Sequence, residues 1–383
     1  MSPEPARSTG GSSRRSRVPA WALLLLAPAI GELLSGSSPP AEFFTPFTFA
    51  LQVALYGSGA VLARELTCLW RKGWPTLLTL GVAYAIIEEG LCCKSFFDPH
   101  WPDAGVLGSY GRWLGVNWIW AVLLTGYHAV FSILVPVALV ELAFPAHRGE
   151  SWAGPRFRWV LLGLLLTVVV LGLLLFPDAA KPYRPPVVGY ALTVVLVIAL
   201  IGLAARLPAA ISLRPAKGNP GRDDTSPPET PAKAPSRPIA FGVTAFLGTL
   251  GWFGVFWGLP HTALPPLGTL AFGLIVVGVV AGVLGRLAGG DLSRLEPRHR
   301  WALCTGCLLF FILLAPIQEA ANAQRPDNTA GMTVVGLAFA LGLIWLRYRL
   351  RSGRRQPEPR REACEAGYPR LPGPPPAQTG TGG

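Results

Sequence analysis

The residues of this chain with the most scope for chemistry are two adjacent glutamates and one histidine, all set in apolar sequence. Glu88 and Glu89 interrupt the apolar run Pro75–Phe96, and His128 lies within the next run, Trp113–Phe144. Carboxylates beside an imidazole can activate a water molecule, exchange protons or hold a divalent metal ion. Ionisable groups in a membrane cost about 2.5–3.5 kcal/mol on insertion, so they generally face a bundle interior or a watery cavity.

Polar residues recur at a similar depth in the neighbouring apolar runs. The first four apolar runs each place a polar group about 18–24 Å from their cytoplasmic end, at a rise of 1.5 Å per residue. These groups are Glu32, Gln52, Glu88 and His128. Since neighbours on a helix point about 100° apart, we expect only one of Glu88 and Glu89 to face a shared cavity. The predicted cavity or substrate-binding residues are Glu32, Gln52, Asn117, Ser132, Gln318, Glu319 and Asn322.

The connection after the Glu-Glu run, residues 97–116, is long and carries Asp98, His100 and Asp103 among aromatic residues. Its aromatic content predicts a segment that folds back as an interfacial lid. The three side chains could bind a metal ion, but the two prolines between them explain a tight turn equally well. We therefore assign no metal ligands, and the sequence indicates no particular cofactor.

The elements that must position these residues are transmembrane helices. The chain is 51% hydrophobic and 14% charged, whereas a soluble domain carries about a quarter charged residues. Ten continuous apolar runs, without the alternation of barrel strands, predict an all-α polytopic bundle of about ten spans. The runs are Val18–Gly36, Phe44–Arg64, Pro75–Phe96, Trp113–Phe144, Phe157–Phe176, Val187–Arg206, Ile239–Gly258, Leu267–Arg286, Trp301–Gln318 and Gly331–Leu346.

The formal charge of +12 reflects topology rather than a nucleic-acid partner. Most basic residues fall in alternate connections, which predicts a multi-pass plasma-membrane protein with both termini cytoplasmic. The excess of Arg over Lys, with abundant Ala, Gly and Pro, indicates a bacterial source. The lipid bilayer is the expected partner, the basic tail attracts anionic headgroups at about 1 kcal/mol per basic residue, and no protein partner is indicated. The first run could instead be a cleaved signal peptide, but its length and Glu32 favour a retained span.

Composition also divides the chain. Residues 1–17, 208–237 and 351–383 are rich in Pro, Gly, Ser and charge, and are predicted to be disordered. They separate a six-span part, 18–207, which holds the polar cluster, from a four-span part, 238–350.

Six cysteines lie mostly in or beside the apolar runs, so we expect no structural disulfides. Cys304 and Cys307 form a CxxC pair without a surrounding redox fold or a second pair. We interpret them as small residues that pack between helices.

Residues 85–94 read AIIEEGLCCK, which resembles the first motif of the CAAX protease and bacteriocin-processing (CPBP) membrane family. In that family a Glu pair precedes a basic residue, and histidines on later helices complete the site. The resemblance implies that Glu88 and Glu89 activate water for peptide hydrolysis, with His128 as the histidine of the next motif.

Three positions depart from that pattern. The basic residue, Lys94, stands one place later than in the family, and Leu124 stands where a Phe precedes the histidine. The second motif, His-x-x-x-Asn, is absent, although Gln318 and Asn322 have its spacing with glutamine in place of histidine.

Three functions fit these residues. The first is transport or binding through an outward-facing acidic cavity, coupled to protons or a cation. The second is intramembrane hydrolysis by Glu88, Glu89 and His128. The third is a structural or partner-binding role, in which the same groups only hydrogen-bond across helices and fix the register of the bundle.

Overall fold

The computed structural model describes residues 17–178, 180–208, 235–290, 292, 295–324 and 327–352. Nearly all of the segments predicted to be disordered, 1–17, 208–237 and 351–383, lies outside the described residues, as does Cys364.

Ten long apolar helices account for most of the described chain, which confirms an all-α polytopic membrane protein. Nine of them, among the described residues, have at least 18 residues and enough apolar character to cross a membrane, and the first is a shorter apolar helix. We number them α1 Val18–Leu34, α2 Pro46–Leu69, α3 Trp74–Cys92, α4 Trp118–Ala143, α5 Pro155–Leu175, α6 Val187–Arg206, α7 Pro238–His261, α8 Pro266–Leu287, α9 Pro297–Ala320 and α10 Met332–Ser352.

Successive helices run in alternate directions, so the bundle has two ends. We call the end at which α1 begins the proximal end, and the end at which α1 finishes the distal end. Contacts between elements agree with this alternation, since the final turn of α10 lies near the first turn of α9 and the last turn of α4. The distribution of basic residues predicts that the proximal end faces the cytoplasm.

Helices α1–α4 form the interior of the bundle. In the most apolar stretch of α3, 72% of the residues are buried, and in α4 67%, against 11% in both α6 and α8. The exposed faces of the outer helices are Leu- and Val-rich, as expected for surfaces in contact with lipid.

Each of the four interior helices contains a π-helical turn, in which the backbone hydrogen bonds span five residues instead of four. These turns widen the helix locally and are frequent at functional sites. They lie at Ala29–Leu34, Val53–Gly57, Ile87–Cys92 and His128–Leu134. Another occurs in α7, at Gly254–Gly258.

The connection between α3 and α4 contains a short antiparallel hairpin, β1 Arg112–Trp113 and β2 Val116–Asn117. The predicted start of the fourth span at Trp113 is therefore wrong. Its cause is the tight turn between the strands, where Leu114 and Gly115 both have positive φ, a conformation that a helix excludes. Tyr110 donates a hydrogen bond to the carbonyl oxygen of Leu264, at 2.9 Å, so the connection packs against the loop between α7 and α8.

Lys94 fastens the distal end of α3 to α5. Its side chain is fully buried, and its Nζ donates to the carbonyl oxygens of Leu173, Phe176 and Tyr183 at 3.1, 2.8 and 3.1 Å. These acceptors include carbonyls left unsatisfied at the end of α5. Burial lowers the pKa of Lys94.

In the four-span part, α7 and α9 pack closely through small residues. A Cβ placed on Gly306 would meet the carbonyl oxygen of Gly242, so the two backbones are in direct contact, as in other membrane helix pairs. Cys304 is buried in this packing, and the five described cysteines are free thiols.

Candidate functional site

Glu88, Glu89 and His128 meet inside the bundle, and we call these three residues the Glu–His centre. His128 Nε2 lies 3.1 Å from Oε1 of Glu89, and its Nδ1 lies 3.2 Å from Oε2 of Glu88. All three residues are buried, with His128 2% exposed. The expectation that only one glutamate would face the site is wrong: the widened π-helical turn and the two nitrogens of one ring let both carboxylates reach His128.

Glu89 is held on both oxygens. Its Oε2 accepts a hydrogen bond from the hydroxyl of Ser95, and that hydroxyl in turn accepts one from the indole Nε1 of Trp120 at 3.0 Å. Because both of its oxygens are engaged, Glu89 is suited to orienting the imidazole.

Glu88 is less constrained. Nδ1 of His128 also lies 3.0 Å from the hydroxyl of Ser132, and Oε2 of Glu88, 3.2 Å from that nitrogen, makes no hydrogen bond of good geometry within the described residues. The hydroxyl of Tyr84, one turn before Glu88 on α3, likewise makes no hydrogen bond of good geometry there. A buried polar atom without a well-formed hydrogen bond costs about 1–3 kcal/mol, so a water molecule or a substrate that bonded to these two atoms would be favoured.

Two tyrosines connect α1 to this centre. Tyr56 on α2 donates to the carboxylate of Glu32, and Tyr127 donates to the carbonyl oxygen of Gly31. The ring of Tyr127 also meets the ring of His128 edge-on, with centroids 4.7 Å apart. Glu32 is the partly exposed carboxylate of the group.

Gly31 allows α1 to approach so closely. A Cβ at this position would lie 2.8 Å from the hydroxyl oxygen of Ser132 and 3.1 Å from the ring of Tyr56. A larger residue would therefore push α1 away from both α2 and α4.

Glu88, Glu89 and His128 could hold a metal ion. One ligand atom from each residue can be chosen so that all three lie within 4.8 Å of one another. Two carboxylates and an imidazole suit Zn²⁺ or another first-row divalent ion, with an open position for water.

The other predicted site residues divide between this centre and the distal end. Ser132 and Glu32 join the centre. Gln52 is buried on α2, and its Oε1 has no hydrogen-bond partner within the described residues. Asn117 lies in β2, where its side chain donates to the carbonyl oxygens of Ser95 and Asp98 at 3.1 and 2.8 Å, and so anchors the connection after α3.

Three predicted residues at the end of α9 and just after it hold distal loops in place. Gln318 donates to the carbonyl oxygen of Ser35 at 2.8 Å, and the side-chain oxygen of Asn322 accepts from the backbone of Thr329 at 2.6 Å. Glu319 accepts from the backbone nitrogens of Gly331 and Thr333, at 2.9 and 2.8 Å. None of these contacts reaches the Glu–His centre.

The acidic side chains of the α3–α4 connection do not converge. Asp98 is buried and accepts a hydrogen bond from the backbone nitrogen of His100 at 2.8 Å, which is the local turn that the prolines indicate. His100 and Asp103 are exposed.

A second buried ionic group, which we call the proximal ionic group, lies at the proximal end of the same helices. Arg64 is fully buried between Glu65 and Glu141, with nitrogen–oxygen distances of 3.1 and 3.5 Å. Its guanidinium also stacks on the ring of Trp152, 3.6 Å from the centroid. Glu65 in turn accepts from the hydroxyl of Ser151 at 2.6 Å, so the group fixes the α4–α5 connection against α2.

Sequence reasoning missed the uncharged members of the centre: Tyr56, Tyr84, Ser95, Trp120 and Tyr127. Helical spacing was an available signal for two of them. Tyr56 follows Gln52 by four residues, and Tyr84 precedes Glu88 by four, so each shares a face with a predicted polar residue. The contacts of Ser95 depend on the turn after α3 and are not encoded in any periodicity.

Comparison with known proteins identifies the N-terminal part of the chain. A family model described as an uncharacterized membrane protein family matches residues 22–218. That range, just over half of the chain, contains the whole Glu–His centre and the proximal ionic group. No curated protein and no solved structure matches the chain significantly.

Proposed function

This chain belongs to an uncharacterized membrane protein family, and we propose that it is a membrane-embedded hydrolase in which Glu88, Glu89 and His128 activate a water molecule. One observation carries the proposal: both nitrogens of a buried imidazole lie 3.1–3.2 Å from carboxylate oxygens. A general base must lie within hydrogen-bond reach of its proton-transfer partners. The convergence of four π-helical turns on the same region also favours a functional site.

The contacts of the two carboxylates suggest the division of roles. Glu88, whose Oε2 lies 3.2 Å from Nδ1 of His128, accepts a proton from water as the water oxygen attacks the acyl carbon. His128, oriented by Glu89, stabilises the carboxyl of Glu88 and relays that proton to the leaving nitrogen as the carbon–nitrogen bond breaks. The hydroxyl of Tyr84 is the available donor for the negatively charged oxygen of the tetrahedral intermediate.

A peptide bond is the substrate that the CPBP resemblance of residues 85–94 suggests. The departure at Lys94 limits that resemblance, because its amine is fully engaged by carbonyl oxygens at the end of α5. The proposal therefore rests on the geometry around His128, and the resemblance only supports the choice of reaction. A divalent ion bound by Glu88, Glu89 and His128 would supply Lewis-acid activation of the same water.

A peptide library tests the hydrolase proposal, because the natural substrate need not be identified. The purified chain in liposomes is incubated with the library in water labelled with heavy oxygen, and new carboxyl termini are detected by mass spectrometry. Incorporation is expected for the wild type and for Glu150→Gln, whose residue is exposed. Loss is expected for Glu88→Gln and His128→Ala. Wild-type protein that incorporates no label, or Glu88→Gln protein that keeps full incorporation, contradicts the proposal.

Proton- or cation-coupled transport is the second candidate, and the proximal ionic group favours it. Helices α2 and α4 each carry residues of both polar groups, Tyr56 with Arg64 and His128 with Glu141. Ionisable side chains at two depths along the same helices are typical of a pathway that opens alternately to each side. Dissipation of a pH gradient across the liposomes by the wild type, lost in Glu88→Gln, would support transport; equal dissipation by both would exclude a role of this site in it.

A further inference from the structure

A large groove opens at the proximal end of the four-span part, between α7, α9 and α10. Its volume is about 1110 Å³, which is the size of a site for a large ligand. Apolar side chains such as Val243, Phe246 and Leu309 form its walls. None of the residues of the Glu–His centre lines it.

Arginines form the mouth of this groove. Arg298 comes from the first turn of α9, and Arg347, Arg349 and Arg351 come from the last turns of α10. Arg298 lies 3.0 Å from Glu296, whereas no ion pair within the described residues neutralises the other three. No carboxylate is among the residues that line the groove.

The N-terminus of α7 adds to this positive potential. Helix α7 begins at Pro238, which lines the groove, and has no side-chain cap, so the positive end of its dipole is open to an anion. The N-terminus of α9, by contrast, is capped by the carboxylate of Glu296. Farther along the groove, the hydroxyl of Thr305 is buried without a hydrogen-bond partner within the described residues.

We propose that this groove binds one anionic phospholipid from the surrounding leaflet. The phosphate lies among Arg298, Arg347 and Arg351 beside the start of α7. The acyl chains follow the apolar wall, and Thr305 bonds to an ester oxygen. A basic mouth joined to an apolar groove between membrane helices matches the two-part chemistry of such a lipid. A soluble phosphate would leave the apolar wall unoccupied.

Native mass spectrometry of the full chain tests this proposal directly. Protein from micelles that contain equal amounts of phosphatidylglycerol and phosphatidylcholine is expected to retain phosphatidylglycerol. The triple substitution Arg298→Gln, Arg347→Gln and Arg351→Gln is expected to weaken that retention. At roughly fivefold per arginine, the loss is on the order of a hundredfold.

A matched control removes the same charge elsewhere at the proximal end. The substitutions Arg156→Gln, Arg206→Gln and Arg286→Gln lie at the ends of α5, α6 and α8, outside the groove, and should leave retention unchanged. Val243→Trp fills the apolar wall without a change of charge and should also lower retention. Equal retention of both lipids, equal loss in the matched control, or full retention by Val243→Trp would each overturn the proposal.

Discussion

The interior helices α1–α4 and the outer helices α5, α6 and α8 solve the same problem of crossing a membrane in different ways. The outer helices are regular, apolar on all sides and only 11–22% buried. The interior helices contain π-helical turns, buried carboxylates and direct backbone contacts. Since irregular backbone and buried charge both cost free energy, their concentration in one part of the bundle indicates a site that is maintained for function.

The largest effect on stability is expected from the proximal ionic group. Arg64→Met leaves Glu65 and Glu141 buried without their cation, and should lower the free energy of unfolding by about 3–5 kcal/mol. Unfolding in mixed micelles of increasing sodium dodecyl sulfate measures it. The exposed Arg156 of α5 offers the control: Arg156→Met should change the free energy of unfolding by less than about 0.5 kcal/mol. Similar losses for both would mean that burial does not distinguish the two regions.

The close approach of α1 gives the next largest effect. Gly31→Val places atoms against Ser132 and Tyr56, and should destabilise the protein by about 3 kcal/mol through overpacking. Gly202→Val on α6, where a Cβ meets nothing within 4 Å, is the matched control and should be tolerated. The free energy of unfolding of both variants is measured by the same titration. If Gly31→Val unfolds with the wild-type free energy, α1 lies farther from α4 than the structure shows.

Lys94 links the interior to the outer helix α5. Lys94→Met removes three hydrogen bonds to carbonyl oxygens and should lower the unfolding temperature, with a loss of about 2 kcal/mol. The exposed Lys181 provides the comparison, since Lys181→Met should leave the unfolding temperature unchanged. If the two variants melt alike, the anchoring of α5 by Lys94 is not significant.

The smallest expected effect comes from the same substitution, Ile to Val, made once in an interior helix and once in an outer helix. Ile133→Val in α4 removes a methylene group from a fully buried side chain and should cost about 1 kcal/mol. Ile275→Val in α8 alters a side chain that is 56% exposed and faces lipid, so its cost should be near zero. Precise unfolding titrations in the same micelles separate these values, and equal costs would argue against a distinct interior.

The sequence predicts the membrane fold well because its signals are local. Each apolar run contains enough information to identify a span. The pair Glu88 and Glu89 stands out because ionisable residues are costly to insert into a membrane. Contacts between helices are not local. Both glutamates contact His128 because of π-helical turns, and the periodicity of the sequence does not predict such turns. The hairpin at Leu114 and Gly115 was missed for a related reason, because apolar residues on both sides of a tight turn extend the apparent run.

The sequence also could not separate site residues from structural ones of the same type. Gln318 and Asn322 have the spacing of a catalytic motif, yet their contacts close distal loops. Asn117 shares a helical periodicity with His128 but belongs to β2. Polar residues at similar depth are distinguished only by the neighbours that packing gives them.

The central claim is that the Glu–His centre is retained for chemistry and not for the register of the bundle. The most direct test measures the free energy of unfolding of Glu88→Gln, together with incorporation of heavy oxygen into peptides by the same sample. The account predicts loss of hydrolysis with stability equal to or above that of the wild type, because functional sites are commonly destabilising. A loss of more than about 1 kcal/mol of stability with hydrolysis retained would contradict it, and would assign Glu88 a structural role.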